Sequence, residues 1–367
     1  MKFKLSDICS YRKEKIAVSE LSRKNYISTE NMLPDKNGIT VATALPKTVQ
    51  TQKYKKGDIL VSNIRPYFKK IWFAKGNGGC SNDVLVFSAK NGIDSHFLYY
   101  LLADDSFFEY SMATAKGTKM PRGDKKALMK YEVPDFDLNE QHKIVGVLSA
   151  IDGKIQLNNQ INKNLEQQAQ AIFQERFQHH DKLPERWKTM TLADVSIMSA
   201  GGDKPNTISS QKTSEYQYPI YSNGISNDGL YGYSSDYKFD TESVTVSARG
   251  TIGFVCLRHI PYTPIVRLVT LIPHTNLVSA KYLYLWLKSI PIHGTGTTQQ
   301  QLTVPDFRKT EIIVPSESEM RSFTDTVTPF YQQIWANQDE STKLADIRDS
   351  LLPKLMSGEI DVSDIDL

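Results

Sequence analysis

The chain has 367 residues, of which 40% are hydrophobic and 23% are charged. This composition is typical of a soluble globular protein, and the length predicts two or three domains. Cys9, Cys80 and Cys256 lie far apart and form no CxxC pair, which argues against a disulfide framework or a zinc site. The sequence shows no signal peptide and no apolar run long enough to span a bilayer, so we expect a cytoplasmic protein with no membrane partner.

The formal net charge of +3 is unevenly distributed along the chain. Residues 1–137 contain 23 Lys and Arg against 15 Asp and Glu, whereas residues 316–367 contain 4 against 11. A basic globular part suggests a polyanionic partner, and neutral or acidic helical parts suggest protein partners. The alternative is random variation of surface charge.

The first globular part, residues 1–137, alternates short apolar runs with turn residues, which predicts strands. Its predicted elements are a turn at 56–58, strands at 59–61, 71–74 and 84–87, a helix at 95–108, an exposed basic loop at 116–126 and an edge strand at 131–134.

A first long helix is predicted over residues 140–178, because seam residues recur at alternating steps of four and three. The seam positions are Ile144, Leu148, Ile151, Ile155, Asn158, Asn162, Leu165, Ala169 and Ile172. About 38 helical residues would span ~57 Å. A helix of this length with one narrow apolar stripe requires a partner for that stripe.

The second globular part repeats the plan of the first. The segment His179–Pro184 ends the first long helix. The predicted elements after it are turns at 223–224 and 227–229, strands at 243–246, 252–257 and 266–272, a helix at 280–289, a loop at 294–302 and a closing strand at 312–315.

A second long helix is predicted over residues 317–355. Its seam positions are Met320, Phe323, Val327, Phe330, Ile334, Asn337, Ser341, Leu344, Ile347 and Leu351. Pro329 lies inside this stretch and is expected to kink the helix or to delay its start. Both seams carry polar residues midway, which in coiled coils set register and orientation. We predict that the two helices form an intramolecular antiparallel coiled coil; the alternative is two separate amphipathic helices, each lying on its own domain.

The two globular parts share short sequence matches in the same order, at offsets between 181 and 187 residues. The matches pair Leu5-Ser6-Asp7 with Leu192-Ala193-Asp194, residues 58–62 with 243–247, Leu98-Tyr99 with Leu283-Tyr284, and Val133-Pro134 with Val314-Pro315. Four matches in order predict the duplication of one unit, a globular domain followed by a long helix.

Catalytic motifs are absent from the sequence. There is no GxxxxGK[ST] phosphate loop, no GxGxxG turn after a strand, and no Asn/Asp-Pro-Pro-aromatic tetrapeptide of the kind found in amino-methyltransferases. Pro134-Asp135 and Pro305-Asp306 lack a nearby Glu-x-Lys and are interpreted as turns. His179-His180 lacks a third ligand, so we interpret these residues as polar helix-end residues and predict no metal site.

Candidate nucleic-acid contacts lie on the loops that follow equivalent strands of the two parts. Arg and Lys neutralise phosphates, and Arg, Asn and Gln can also read base edges. The candidates are Asn63, Arg65, Lys69, Lys70, Lys119, Arg122 and Lys125 in the first part, and Ser222, Asn223, Arg249, Thr298, Gln299, Gln300 and Gln301 in the second. Each stretch alone is compatible with a solvated loop. Duplication on basic domains favours nucleic acid.

The order of these parts, together with three motifs, resembles the specificity subunit of type I restriction–modification systems over the whole chain. The motifs are residues 57–66, Glu140-Gln141-x-x-Ile144, and Leu351-Leu352-Pro353-Lys354-Leu355-Met356-Ser357-Gly358. The second helix opens with Glu317-Ser318-Glu319-Met320 rather than with Glu-Gln, which departs from the pattern.

The resemblance implies an α+β fold. Two duplicated α/β target recognition domains, at 1–137 and 181–315, are separated by two long antiparallel helices that form a coiled coil with pseudo-twofold symmetry. The helices are placed at 138–180 and 316–357, and a tail at 358–367. The resemblance also implies a non-catalytic subunit that reads a bipartite double-stranded DNA target for an adenine-specific methyltransferase and endonuclease complex.

The implied partners are two methyltransferase subunits that use S-adenosylmethionine and two restriction subunits that use ATP with Mg. No cofactor is expected on this chain. Two other functions are weighed: a coiled-coil adaptor that does not read DNA, and a catalytic methyltransferase or nuclease. The excess of cations in residues 1–137 argues against the first, and the missing motifs argue against the second.

Overall fold

The computed structural model describes residues 3–178, 182–294 and 300–363. The chain divides into two compact units: residues 1–158 with 338–367, and residues 159–337. Each unit contains one globular domain and parts of two long helices. None of the described helices is both long and apolar enough to cross a membrane.

The first unit is built from short strands and helices that precede a long helix. Its strands are β1 (Phe3–Lys4), β2 (Cys9–Tyr11), β3 (Lys15–Ala17), β4 (Tyr26–Ile27), β5 (Gln50–Tyr54), β6 (Ile59–Ser62), β7 (Ile71–Phe73), β8 (Gly78–Cys80), β9 (Val84–Ala89) and β10 (Glu132–Val133). Its helices are α1 (Leu5–Ile8), α2 (Ser95–Ala103), α3 (Asp105–Ala113), α4 (Lys125–Leu128) and α5 (Leu138–Phe177), with 3₁₀ turns at Val18–Glu20 and Pro66–Phe68.

The second unit has a similar succession of elements, with fewer strands and helices among the described residues. Its strands are β11 (Lys188–Thr191), β12 (Ser196–Ala200), β13 (Tyr218–Tyr221), β14 (Leu230–Ser234), β15 (Ser243–Val246), β16 (Val255–Arg258), β17 (Thr263–Pro264), β18 (Val269–Pro273) and β19 (Glu311–Val314). Its helices are α6 (Leu192–Val195), α7 (Ala280–Ser289), α8 (Val304–Phe307) and α9 (Glu317–Ser357), with a 3₁₀ turn at Ser226–Gly229.

Sheet topology shows the duplication directly. The antiparallel order β2-β9-β6-β7 in the first unit matches β12-β18-β15-β16 in the second, and the ribbon β1-β10 matches β11-β19. A further sheet differs between the units: β3-β5-β8-β4 in the first and β14-β13-β17 in the second. All four sequence matches lie in elements that are equivalent in this order, because they fall in α1 and α6, β6 and β15, α2 and α7, and β10 and β19.

The turn before β6 shows why the motif at residues 57–66 has its sequence. Gly57 has a φ of +88°, a conformation that residues with a Cβ rarely adopt. The next residue, Asp58, is buried and pairs with Arg12 at 2.5 Å. Since a buried carboxylate requires such a partner, Asp58 ties the start of β6 to the segment after β2.

Three predicted elements need correction. The helix predicted at 95–108 is two helices, because Asp104 has extended backbone angles and its side chain accepts a hydrogen bond from the backbone of Ser106, which starts α3. The strand predicted at 252–257 begins only at Val255, and the one predicted at 266–272 begins at Val269. Val266 and Arg267 have positive φ values, which a strand cannot contain.

The two long helices, α5 and α9, are each continuous over 40 and 41 residues. α9 continues through Pro329, so the delayed start expected there is not observed. In each unit a segment of one helix packs antiparallel on the other. Asp152 pairs with Arg348 and Asn158 with Ser341 in the first unit, and Asn162 pairs with Asn337 in the second.

The seam between α5 and α9 is partly apolar and partly polar. The buried apolar seam residues are Ile144, Leu148, Ala169, Met320, Phe323, Val327 and Ile334, and the half-buried ones are Ile151, Ile155, Leu165, Ile172, Phe330, Leu344 and Leu351. Burial is greater one residue later at Phe173 and Tyr331. Ile347 is 48% exposed, so its placement in the seam is wrong. The adjacent Arg348 is turned inward and binds Asp152.

Each unit has its own core, and each core includes residues from both long helices. In the first unit, Leu98 and Phe107 pack with Ile144, Leu148 and Leu355. In the second, the corresponding core joins side chains of α7 to both long helices through Tyr282, Leu283, Phe173, Phe177 and Phe323. Both domains bury apolar area against α5 and α9, and this burial stabilises the packing of each domain on the helix segments of its own unit.

Candidate nucleic-acid interface

Two of the predicted stretches lie against each other in the first unit. They are the segment after β6, residues 63–70, and the basic loop that leads into α4, residues 116–126; together they are called the first loop pair. The backbone N–H of Arg65 donates to Pro121 O at 2.8 Å, and that of Gly123 donates to Asn63 O at 3.3 Å. Arg65 has a φ of +50°, which costs a non-glycine residue of order 1–3 kcal/mol. Such strain is commonly found at functional sites.

The cations of this loop pair differ in how exposed they are. Lys119 and Lys125 are exposed, and the Arg122 side chain is 52% exposed with Asp83 at 3.2 Å. Lys116 binds Asp124 and, with two backbone N–H groups of α4, holds the pKa of that carboxyl at about 2. Asn63 is buried, so it stands behind the loop rather than on its surface.

Lys69 and Lys70, both predicted as DNA contacts, have partners within the protein. The Lys69 Nζ lies 2.7 Å from Asp105, which Lys36 also contacts at 2.9 Å. Burial alone would raise the pKa of Asp105, but the hydrogen bonds from the two lysines lower it. The Lys70 Nζ donates to Thr29 O at 2.7 Å, and burial lowers the pKa of Lys70. Phosphate contact by either lysine would require the loss of these interactions.

The second unit repeats this contact between Ala248, in the segment after β15, and Leu302, in the segment before α8; these two segments are the second loop pair. The backbone N–H of Leu302 donates to Ala248 O at 3.0 Å, which corresponds to the bond between Gly123 and Asn63. Asp124 and Thr303 then cap the equivalent helices α4 and α8 with their side chains. Repetition of this bond and of the cap in both units shows that this contact was duplicated along with the sheets.

The predicted contacts of the second unit are distributed around this loop pair. Arg249 is exposed, and its Nη2 donates to Gln301 Oε1 at 2.8 Å. Gln300 is exposed and Ser222 is half-buried. Thr298 and Gln299 lie outside the described residues.

Asn223, also predicted as a contact, uses its side-chain amide inside the protein. Its Nδ2 donates to Val266 O and its Oδ1 accepts from the backbone N–H of Ala248, both at 2.7 Å. These bonds tie three separate loops together. We therefore assign Asn223 a positioning role instead of base reading.

Two features of the site are not among the contacts predicted from the sequence. Tyr67 and Phe68 present exposed aromatic rings on the first loop pair, at 48% and 38% exposure; the sequence shows aromatic residues between the cations of this stretch, but only polar and charged residues were predicted as contacts. Arg258 is buried, with its guanidinium 3.6 Å from the Tyr221 ring centre and an Nη2 bond of 2.6 Å to Asp228 O. In the sequence, a single arginine at the end of a strand gives no indication that its side chain packs on Tyr221 and bonds to the Asp228 carbonyl.

The described residues contain no cluster of three or more His, Cys, Asp or Glu that could hold a metal ion. The two sets of loops with exposed cations, one in each unit, and the two long helices are the features expected of one class of protein: a duplicated recognition protein that binds a polyanion.

The comparisons with known proteins name the family. The Type I restriction modification DNA specificity domain matches residues 1–167 and 184–345, and the chain belongs to this family. A Mycoplasma pneumoniae protein named as a type I specificity subunit is 26% identical over 343 residues, covering 92% of this chain and 90% of that protein. The HindI specificity subunit of Haemophilus influenzae is 25% identical over 83% of this chain and 87% of its own length.

A crystal structure of the S subunit of a type I system from M. genitalium has the same fold, with a TM-score of 0.55 at 18% identity; the match covers 97% of this chain and 96% of that one. The chain is thus the DNA sequence-recognition subunit of a type I restriction–modification complex and has no catalytic role of its own.

Proposed function

We propose that each loop pair reads one half of a bipartite DNA target. The observation that carries this proposal is the repeated backbone bond, Gly123 to Asn63 and Leu302 to Ala248, which presents an equivalent surface in each unit. Arg122 in the first unit and Arg249 in the second are exposed on these surfaces and have donors suited to guanine edges or phosphates.

The test is an exchange of domains, with methylated adenines mapped in cells that express the whole complex. Replacing residues 181–315 with the second recognition domain of another specificity subunit should change one half of the methylated sequence and leave the other half unchanged. The reciprocal exchange of residues 1–137 serves as the matched control and should change the other half. A change of both halves in either exchange would contradict independent reading.

The partner assignment forms a second part of the proposal. We propose that two methyltransferase subunits dock on the helices α5 and α9, that two restriction subunits complete the complex, and that S-adenosylmethionine, ATP and Mg are bound by these partners. Because the complex acts on cellular DNA, its proposed location is the cytoplasm. Leu157 is 52% exposed and Ile347 48% exposed on the helices of the first unit, so both offer apolar area that a docked subunit would bury.

Leu157→Asp and Ile347→Asp test the docking surface. Both should weaken co-purification with the methyltransferase subunit while the melting temperature of the isolated chain stays near wild type. Gln156→Asp, at a neighbouring exposed position, is the control for adding a carboxylate. Native mass measurement of the wild-type complex checks the number of subunits; undiminished assembly of both variants would place the docking surface elsewhere.

DNA binding by the complex should weaken steeply as salt rises, because phosphate contacts release counterions. Binding that does not change with salt would contradict phosphate contacts by the exposed cations of the loop pairs.

A further inference from the structure

The 3₁₀ turn Pro66–Phe68 carries the most exposed aromatic pair of the first loop pair. The Tyr67 and Phe68 rings lie 4.7 Å apart with an interplanar angle of 50°. Exposed aromatic rings next to each other are unfavourable in water and mark interaction sites when they persist. Met120, on the adjacent basic loop, is also exposed at 47%.

The turn is held rigidly by segments that lie far from it in the sequence. Asp35 N–H donates to Phe68 O at 2.8 Å, Lys36 N–H donates to Lys69 O at 3.0 Å, and Arg65 N–H donates to Pro121 O at 2.8 Å. Arg65 and Lys69, which flank the turn, both have left-handed backbone angles. A turn whose conformation is already fixed on both sides loses little conformational entropy when it contacts a ligand.

The two lysines that follow the turn bind other groups of the protein, which leaves the aromatic side chains at its tip. Lys69 is directed to Asp105 and Lys70 to the carbonyl of Thr29, while Arg122 and Lys119 remain exposed on the adjacent loop. The tip therefore presents two aromatic rings, one of which, Phe68, has the Lys70 Nζ 5.6 Å from its ring centre, and the neighbouring loop is cationic. This combination suits a nucleic-acid duplex, whose base faces are apolar and whose backbone is anionic.

We propose that Tyr67 and Phe68 form an aromatic wedge that inserts at one base step of the half-site read by the first recognition domain and unstacks it. Apolar side chains that enter between base pairs act in this way in DNA-bending proteins. The inference rests on the proposed function, because it requires that this loop pair faces DNA.

The second unit has no equivalent wedge among its described residues. The corresponding segment between β15 and β16, Thr251 to Gly253, contains no aromatic residue, and Ile252 packs against the core of its own domain. Gly253, the next residue, lies close to Ile292. The wedge thus acts on one half of the target only, and the two halves are read by different means.

The test uses the assembled methyltransferase complex and a duplex with the mapped target sequence. 2-Aminopurine is placed in turn at each position of the first half-site except the methylated adenine, whose extrusion by the methyltransferase would also raise fluorescence. Wild type should raise the fluorescence at one step. The double variant Tyr67→Ala with Phe68→Ala should abolish this rise and weaken binding roughly 10-fold, the effect of losing about one stacked base.

Two control variants isolate the contribution of the wedge. Tyr231→Ala removes a tyrosine of matching exposure, 49%, from the second unit, and should change neither the fluorescence nor the affinity. The salt dependence of binding should keep its slope in the wedge variant, because no phosphate contact is lost, whereas Arg122→Ala should reduce the slope by about one if it contacts phosphate. Thermal unfolding of the wedge and Arg122 variants verifies that the first domain stays folded.

The outcomes distinguish failure of the wedge from failure of the proposed function. If Arg122→Ala weakens binding while the wedge variant keeps wild-type fluorescence and affinity, the wedge is wrong and the loop pair still faces DNA. If neither variant changes DNA binding, the loop pair itself has been misassigned. If the wedge variant fails to assemble with the methyltransferase, the turn is a protein-docking element and the inference is overturned.

Discussion

Asn337 on α9 donates a side-chain hydrogen bond of 2.8 Å to Asn162 on α5 within the second unit. Asn337 is buried at 6% exposure and also accepts from Gln333 Nε2 at 2.7 Å. A buried amide that bonds across a helix pair stabilises one alignment of two helices more than any shifted alignment. The pair therefore specifies the register of α5 against α9.

Asn337→Ala should lower the free energy of unfolding by about 1–2 kcal/mol, because it leaves buried amide groups without their partner. A double-mutant cycle with Asn162→Ala, measured by denaturant unfolding, gives the coupling between the two side chains. Gln338→Ala, at the exposed neighbouring position, is the control. Additive effects of the two substitutions would show that the bond does not contribute to stability.

Arg122 and Lys69 should differ in their effect on DNA binding. Arg122→Ala should cost roughly 1–3 kcal/mol, since its side chain is 52% exposed and its contact to Asp83 lies at the surface. Lys69→Ala should have little effect, because Lys69 is paired with Asp105. Binding titrations at one fixed salt concentration check both. A larger loss for Lys69→Ala would mean that DNA displaces Asp105 from its lysine.

Asn223→Ala should act through loop position. The Nδ2 and the Oδ1 of Asn223 both bond to backbone groups of other loops, so the variant should lose about 1–3 kcal/mol of stability. The fidelity of methylation should fall in the second half-site and stay unchanged in the first. Asn206→Ala, at an exposed asparagine of the same domain that is not a candidate contact, is the control. Full stability with relaxed specificity would instead favour direct base reading by Asn223.

The cysteines should be inert in the folded protein. Burial raises the pKa of Cys9 and Cys80 to about 12 and that of Cys256 to about 11, from an ordinary value of 9.0. At pH 8 a thiol reagent should therefore label them only after unfolding.

The same pKa shifts predict how stability depends on pH. Above pH 9 the unfolded chain loses thiol protons that the folded chain keeps, so the thiols favour unfolding progressively between pH 9 and about 11 to 12. Denaturant titrations across this range should show falling stability. For the labelling experiment, rapid reaction of the native protein with the thiol reagent at pH 8 would contradict the burial of the three cysteines.

The long helices should set the unread spacer between the two half-sites. Inserting four residues after Asn164 in α5, and four after Ile334 opposite it in α9, lengthens each helix by ~6 Å and rotates the downstream part of the helix by roughly 40° beyond a full turn. Paired insertions keep the seam nearly in phase. The mapped spacer should grow by about one or two base pairs, at ~3.4 Å each, with both half-sites unchanged.

The control for this insertion places the same four residues beside Val49, which lies on a loop and is 85% exposed. It should leave the spacer unaltered. Full activity with an unchanged spacer in the helix variant would show that α5 and α9 do not set the length of the spacer.

The sequence by itself was sufficient for the features that depend on local spacing. The steps of four and three predicted both long helices, and the matched motifs predicted the duplication, since each is recorded in residues that are near one another or repeated at a nearly constant offset. Residues such as Leu148 and Val327 are buried as their heptad positions require. The family membership rests on the same recurring motifs and is confirmed by the match over both repeats.

Only the tertiary structure decided which polar side chains remain available to a ligand. Lys69 is paired with Asp105, which is 36 residues away along the chain, and Lys70 donates to Thr29, 41 residues away. Asn223 likewise bonds to Val266, 43 residues further on. A cation's charge is visible in the sequence, but its partner is set by chain packing over such distances. For this reason the tip of the first loop pair is aromatic, although its sequence is rich in lysine.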